Sequence, residues 1–277
     1  MNFEKILEYH KNLWTEVNNP KTNFLVKKYY RNICNTKNKR WFYAFNWARR
    51  LENLAECFNK ENMMVLDTAC GLGTESIFAA YFSGANVLGV DSNKNFIEVA
   101  RGRKIFYEKL LKKSLNVNFE NQNILDLNYH NYFDIIWCME AISHIFPTEK
   151  FLKIAHSALK PGGKILISDP NAANPIIQLQ LIKEAGFNRG VVKKIDPKTG
   201  NEIEEWNEHI RLPSELAKKM KNHGFLVEKI NFSIFFPPSL FFSKNITMKT
   251  YKLEKGINKI PIIRDIGAIY TVVGKKI

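Results

Sequence analysis

Apolar residues near the start of the chain recur at the spacing of an amphipathic helix. In residues 3–17 they fall three and four positions apart, and Asn19-Pro20 then ends the pattern. A second stripe with the same spacing runs through residues 41–58. These stripes predict a helical layer over residues 1–60, which we interpret as a cap on the domain that follows.

From about residue 63 the pattern changes to short apolar runs separated by helical stretches. Strands that alternate with helices predict a parallel sheet with helices on both faces. Residues 225–235 and 267–277 are two further strand-like runs, with no helical pattern of comparable strength between them. They could pair antiparallel at one edge of the sheet. The five earlier strands are predicted at "MMVLDTA", "NVLGVD", "VNFENQNI", "YFDIIWCM" and "KILISDP".

The first of these strands runs into a glycine-containing turn, "VLDTACGLGTES". Gly71 and Gly73 allow the backbone to turn tightly and to approach a ligand closely. A dinucleotide fingerprint needs a third glycine where Ser76 stands, and no phosphate-loop motif is present. Asp67 closes the strand, and its carboxylate suits an ammonium group better than a pyrophosphate. Asp91 closes the second strand, where a carboxylate can accept hydrogen bonds from both ribose hydroxyls.

Five segments in order resemble the motifs of class I S-adenosylmethionine-dependent methyltransferases, over roughly residues 63–170 and more weakly to the C-terminus. They are "VLDTACGLG", "GVDSN", "NFENQNILDL", "FDIIWCMEAISHI" and "LKPGGKILISDP". Ala69 stands where a glycine is commoner in the family, and Asn123 stands where many members carry aspartate. The resemblance implies the cofactor S-adenosylmethionine, bound by Asp67, Ala69, Gly71, Gly73, Asp91, Ser92, Asn123, Ile124 and Cys138.

The same resemblance implies an α/β fold with a doubly wound, mostly parallel seven-stranded sheet and an antiparallel C-terminal strand pair. The cofactor-binding domain would span residues 61–277. The stretch at about 171–212 is interpreted as an insertion that caps the substrate site, together with the helical layer at residues 1–60.

Candidate catalytic residues follow the fourth and fifth predicted strands. Glu140 and His144 stand at the family's recurring Glu and His, and they would share one face if this segment were helical. His144 could act as a base near neutral pH, or it could be a buried histidine whose ring is satisfied by the backbone. Asp169 and Asn171 could contact the substrate or serve only in a turn. The cysteines and histidines show no metal-ligand spacing, so we predict no metal site.

The net charge of +14 favours two interpretations: a polyanionic partner, or a lysine-rich codon bias that spreads basic residues along the chain. We find no RNA-binding motif. The predicted function is therefore methyl transfer to oxygen or nitrogen of a small-molecule acceptor. The alternatives are an RNA or protein methyltransferase and a non-catalytic protein that binds S-adenosylmethionine.

The sequence also bears on location. It shows no signal-peptide pattern and no apolar run long enough to span a bilayer. Its four cysteines are scattered, as expected for reduced thiols. We therefore expect a cytoplasmic protein, and the oligomeric state stays open.

Overall fold

The computed structural model describes residues 3–30, 40–185, 191–195, 202–206, 210–241 and 243–277. Parts of the predicted insertion, and Cys34, lie outside the described residues. The helices are α1 (Phe3–Val17), α2 (Phe24–Tyr29), α3 (Arg40–Ala55), α4 (Thr74–Ser83), α5 (Lys94–Leu111), α6 (Thr148–Ala158), α7 (Pro175–Ala185), α8 (Pro213–Asn222) and α9 (Lys244–Ile257).

The central sheet has seven strands in the order β3-β2-β1-β4-β5-β9-β8. The first five pair in parallel, whereas β9 runs antiparallel to both β5 and β8. The predicted fold, a mostly parallel seven-stranded sheet with an antiparallel C-terminal pair, is confirmed. The strands are β1 (Met64–Thr68), β2 (Asn86–Asp91), β3 (Val117–Asn121), β4 (Phe133–Met139), β5 (Leu159–Pro170), β8 (Phe225–Ser233) and β9 (Ile269–Lys276).

Two features of the C-terminal half differ from the sequence prediction or extend it. The expectation of no comparable helix between the last two strands is wrong, because α9 lies there. Its apolar positions are few, but Thr247, Thr250 and Glu254 are buried, which a hydrophobic-spacing argument does not count. Within the predicted insertion, α7 precedes a separate hairpin of β6 (Val191–Ile195) and β7 (Glu202–Trp206).

Alternate residues of each central strand supply two hydrophobic cores on opposite faces of the sheet. Val65 and Ile135 face the core formed with α1, α3, α4 and α5, and their neighbours Leu66 and Ile136 face the core formed with α6 and α8. The N-terminal helices therefore share a core with the cofactor domain. No helix within the described ranges is long and apolar enough to cross a membrane.

A buried ion pair fastens α1 to the region of the glycine turn. The Arg103 guanidinium donates to both carboxylate oxygens of Glu16, with Nε–Oε1 at 2.7 Å and Nη2–Oε2 at 2.8 Å, and the Tyr107 hydroxyl donates to the same carboxylate. Arg103 Nη1 donates to the Leu72 carbonyl at 2.6 Å and to Thr74 Oγ1 at 2.7 Å. One side chain thus connects the N-terminal layer with the turn.

Candidate active site

The turn between β1 and α4 depends on left-handed backbone conformations. Ala69, Gly71 and Gly73 have φ angles of 55°, 52° and 75°. A Cβ atom at Gly73 would lie 2.6 Å from the Phe119 ring, so packing excludes a side chain there. A Cβ at Gly71 would meet nothing within 4 Å, which leaves open space beside the backbone for a ligand.

Asp91 ties the turn to the end of the neighbouring strand. Its Oδ2 accepts the Gly71 N–H at 2.9 Å, and its Oδ1 accepts the Asn93 N–H at 2.8 Å. These bonds fix the orientation of the carboxylate. Each carboxylate oxygen can accept further hydrogen bonds, so hydroxyl donors of a ligand can still be accommodated.

Two pockets meet at the turn. The Asp91 cleft, of about 530 Å³, contains Asp91, Ser92, Asn123 and Ile124 with the Phe96 ring. The aromatic pocket, of about 360 Å³, lies on the other side of the turn. Tyr29, Ala69, Gly71 and Glu140 line both pockets, so the two are continuous. The aromatic pocket is further lined by Tyr30, Tyr43, Asn46, Trp47, Arg50, Asp67, Cys70, Leu72, Glu75 and Met139.

Two polar side-chain atoms of α3 in the aromatic pocket are available to bind a ligand. Trp47 Nε1 donates to Glu75 Oε1 at 2.9 Å. Asn46 Oδ1 and Arg50 Nε are buried and have no hydrogen-bond partner among the described residues. Buried polar groups are normally satisfied, so these two atoms indicate a site built to receive a polar ligand.

The aromatic pocket contains two acidic side chains, Asp67 and Glu75, in addition to the ion pair between Arg50 and Glu140. Burial raises the pKa of Asp67, although Ser76 Oγ donates to it at 2.5 Å, and burial likewise raises the pKa of Glu75. Desolvation also opposes ionisation of Glu140, but the Arg50 guanidinium, 2.6 Å from its Oε2, outweighs this and lowers its pKa. A bound cation would stabilise the ionised forms of Asp67 and Glu75.

Glu140 and His144 both line the Asp91 cleft, but they do not lie on an α-helix. Glu140 directly follows β4 in a left-handed conformation, with φ 48°, and its N–H donates to the Ser168 carbonyl at 2.7 Å. The next residues form a short 3-10 turn, Ile142–His144. The helical spacing considered for this pair is therefore wrong. The alternative of a buried histidine is also wrong, because the His144 side chain is exposed.

The structure does not bring four of the predicted site residues to either pocket. Cys138, Asp169 and Asn171 are each fully buried. The Asn171 amide donates to the carbonyls of Asp265 and Gly267, both at 2.8 Å, and so joins the end of β5 to the segment before β9. Gly73 likewise packs beneath the turn, against Phe119.

Burial also makes the described cysteines poor nucleophiles. It raises the pKa of Cys57 to about 11 and that of Cys138 to about 12, and it raises the pKa of the Cys70 thiol in the turn as well. All three are unpaired thiols. Since the thiolate is the reactive form, covalent catalysis by Cys70 is disfavoured.

Sequence reasoning missed most of the aromatic pocket. It interpreted residues 1–60 as a cap but named none of the aromatic residues of α2 and α3 as site residues, and it gave Arg50 no role. One signal was available: Asn46 and Arg50 stand four residues apart, at helical spacing, beside the apolar stripe of α3. Within the described residues, no group of three His, Cys, Asp or Glu side chains could hold a metal ion.

Asp169 should make stability depend on pH. Its Oδ2 is buried without a partner, and burial raises its pKa to about 8. The folded state then holds a proton between about pH 4 and 8 that the unfolded chain releases, so stability should fall as pH rises, by up to about 1.4 kcal/mol per pH unit. Asp169→Asn should flatten this slope in urea unfolding measured across the window. An unchanged slope would contradict it.

A family model described as a methyltransferase domain matches residues 59–227. The chain belongs to this methyltransferase family. A protein of Coxiella burnetii named ubiquinone biosynthesis O-methyltransferase is 33% identical over 123 residues, which are 44% of this chain and 50% of that protein. Phosphoethanolamine N-methyltransferase 1 of Triticum aestivum is 33% identical over 111 residues, 40% of this chain and 21% of that protein.

The chain spans about half the length of the Coxiella relative and less than a quarter of the length of the wheat relative. A solved S-adenosylmethionine-dependent methyltransferase from Methanosarcina mazei shares the fold, with a TM-score of 0.57 and 17% identity. That match covers 81% of this chain and 97% of the other. The match to the methyltransferase family confirms the predicted cofactor, S-adenosylmethionine.

The residues present fit this cofactor. Its ribose hydroxyls match the Asp91 carboxylate, its ammonium group matches the acidic side of the aromatic pocket, and its carboxylate matches a buried cation. Arg50, whose Nε has no hydrogen-bond partner among the described residues, is a buried cation in that pocket. S-adenosylmethionine contains no pyrophosphate, which agrees with the carboxylate of Asp67 at the start of the turn.

Proposed function

We propose that this methyltransferase transfers a methyl group to oxygen or nitrogen of a small-molecule acceptor. The observation that carries the proposal is the continuity of the Asp91 cleft with the aromatic pocket through Ala69, Gly71 and Glu140. A ligand that crosses the turn faces a second compartment of about 360 Å³, within the usual size range of small-molecule sites. The names of the two relatives, one an O- and one an N-methyltransferase, support the same class of acceptor.

The proposed cofactor contacts divide along the turn. Asp91 accepts from the ribose hydroxyls, and the backbone at Gly71 approaches the ligand closely. Arg50 pairs with the carboxylate group, and Asp67 faces the ammonium group. The remaining contacts of the Asp91 cleft that we propose are Ser92, Asn123 and Ile124.

When bound, S-adenosylmethionine supplies a methyl group on a positively charged sulfur that is already a good leaving group. The protein then has two tasks: to hold the acceptor atom in line with that methyl group, and to keep water out. Tyr29, Tyr30, Tyr43 and Trp47 wall the pocket from the N-terminal side. We therefore propose that residues 1–60 cap the acceptor and contribute to the choice of substrate.

A base is required only if the acceptor is a hydroxyl, which holds its proton near neutral pH. Glu140 is a poor proton acceptor, because the Arg50 guanidinium lowers its pKa and occupies its Oε2. His144 lies in the same cleft with an exposed side chain, and an imidazole can accept a proton from an acceptor hydroxyl. We propose His144 as the base in that case, and Glu140 as the residue that positions Arg50.

With a hydroxyl acceptor, His144→Ala should lower turnover at least about a hundredfold, roughly 2.7 kcal/mol in the barrier. Cofactor affinity should hardly change. Glu140→Gln is the paired variant: it should weaken cofactor binding through Arg50 and keep the parent's turnover at saturating cofactor. With an amine acceptor, His144→Ala should turn over normally. Normal turnover with a hydroxyl acceptor would remove His144 from the chemistry.

The proposed activity is tested by incubating the protein with S-adenosylmethionine and a panel of phenols, alcohols and amines, and measuring S-adenosylhomocysteine formed. We expect acceptor-dependent product, formed more slowly by Asp91→Ala at cofactor concentrations that do not saturate the variant. Tight cofactor binding without product from any acceptor would support the non-catalytic alternative. Product formed only with RNA or protein would support the alternative of an RNA or protein methyltransferase.

We also propose a cytoplasmic location, from the pattern of scattered cysteines.

A further inference from the structure

Large apolar side chains are exposed on two segments beside the end of β5. Ile262 is 82% exposed, Leu179 is 68% exposed and Ile176 is 67% exposed. We define the isoleucine patch as these three residues together with Ile260, Ile263 and Ile266, all of which are exposed. Scattered single apolar residues need no explanation, but a contiguous set marks a surface that contacts something other than water.

Asn174 joins the two segments of the patch. Its Nδ2 donates to the Ile266 carbonyl at 2.6 Å, and its Oδ1 accepts the N–H groups of Ile176 and Ile177, each at 3.0 Å, at the start of α7. Asn171 adds its two bonds to the carbonyls of the same loop. The start of α7 and the end of the 260–266 loop are therefore held next to one another by fixed polar contacts, so both segments present their exposed apolar side chains on one part of the surface.

The loop that carries Ile262 has a strained backbone. Ile262 has a φ of 72°, in the left-handed region that a β-branched residue rarely adopts. Such a conformation persists only where the surroundings impose it. Hydrogen bonds from Arg264 N–H to the Ile260 carbonyl and from Asp265 N–H to the Ile262 carbonyl impose it here.

The surface next to the patch is basic. Residues 244–266 contain six Lys or Arg residues and two acidic ones. Glu254 is fully buried and paired with Arg49, and Asp265 is paired with Arg264, so neither offsets the lysines. The exposed lysines of this segment are Lys249, Lys252, Lys255 and Lys259, of which Lys255 is paired with Glu52 on α3 at 3.1 Å.

Apolar side chains rimmed by lysines match the surface of a bilayer that contains anionic lipids, in which the apolar groups enter the interface and the lysines meet the headgroups. A second copy of this chain fits less well, because a two-fold contact through the patch would bring the two lysine rims together. We propose that the isoleucine patch docks this methyltransferase on an anionic membrane surface.

Docking in this way would also orient the active site. β9 begins at Ile269, opposite Pro170 at the end of β5, so the patch lies at the carboxyl edge of the parallel strands. The glycine turn, Asp91 and Glu140 lie at the same edge. The cleft would then open near the bilayer surface, but the proposal stands on the patch alone and not on the acceptor.

The test is co-sedimentation of the full chain with vesicles of phosphatidylcholine alone and of phosphatidylcholine mixed equally with phosphatidylglycerol. We expect binding to the mixed vesicles only, weakened by added salt. Ile262→Ser/Ile263→Ser should lower the vesicle affinity at least about tenfold, because two apolar side chains no longer enter the interface. Since both side chains are exposed, the melting temperature should not change.

Matched variants separate this surface from general stickiness and charge. Ile105→Ser/Leu226→Ser removes two apolar residues that are 54% and 52% exposed elsewhere, and it should bind as the parent does. Lys252→Gln/Lys259→Gln should weaken binding more than Lys109→Gln/Lys153→Gln, which makes the same change in net charge. No binding to mixed vesicles, or equal losses in the test and control variants, would overturn the proposal. So would a concentration-dependent dimer that Ile262→Ser/Ile263→Ser abolishes.

Discussion

Replacing Arg103 by methionine should lower the free energy of unfolding by about 3–5 kcal/mol, the usual cost of leaving one partner of a buried ion pair uncompensated. Arg103 and Glu16 are each at least 97% buried, and the guanidinium also satisfies the Leu72 carbonyl and Thr74 Oγ1. The variant leaves the buried Glu16 carboxylate without its counter-ion and the Leu72 carbonyl of the turn without its donor. Urea unfolding of the parent and the variant measures the difference.

Arg101 provides the matched control on the same helix. Its side chain is exposed and donates only to the Phe119 carbonyl, so Arg101→Met should cost less than about 1.5 kcal/mol. The double variant Glu16→Met/Arg103→Met should recover part of the loss, because two apolar side chains can replace a buried pair at little cost. A loss for Arg103→Met no larger than that for Arg101→Met would show that the pair does not hold α1 in place.

Replacing Asp91 by alanine should weaken the binding of S-adenosylhomocysteine by about 1.5–3 kcal/mol, or roughly ten- to 150-fold. The variant loses the acceptor that we assign to the ribose, and it also loses the bond that holds Gly71 N–H in the turn. Isothermal titration calorimetry measures both affinities. The fold should survive, because Asp91 lies at a strand end and is not buried.

Asp126 is the control for the loss of a carboxylate. Asp126 is exposed, and its ion pair with Lys150 is long, at 3.8 Å. Asp126→Ala should therefore bind the ligand as the parent does. Asp91→Asn keeps one acceptor oxygen and should fall between the parent and Asp91→Ala. A folded Asp91→Ala that binds normally would remove Asp91 from the site.

The parts of this structure that the sequence predicted depend on local rules. Alternation of β1 to β5 with helices follows from hydrophobic spacing, and the sharp turn after β1 follows from Gly71 and Gly73. Asp91 was placed correctly at the carboxyl edge, because parallel strands end on the same side. These features need only the order of residues along neighbouring segments.

The parts that were missed depend on contacts between distant segments. The aromatic pocket forms only when α2 and α3 dock over the turn, and no spacing rule predicts that Arg50 meets Glu140. The burial of Asp169 comes from β9, which pairs Tyr270 beside it 101 residues later. α9 was missed because its buried face includes Thr247, Thr250 and Glu254, and the partner of Glu254 is Arg49, on a helix near the other end of the chain.

The most direct test of the account is isothermal titration of the full chain with S-adenosylhomocysteine. We predict one binding site per chain, together with a rise in melting temperature that follows mass action as the ligand concentration increases. NAD, with its pyrophosphate, should give neither heat of binding nor stabilisation. No heat and no stabilisation with S-adenosylhomocysteine at millimolar concentration would contradict the assignment of the glycine turn and Asp91 as a cofactor site.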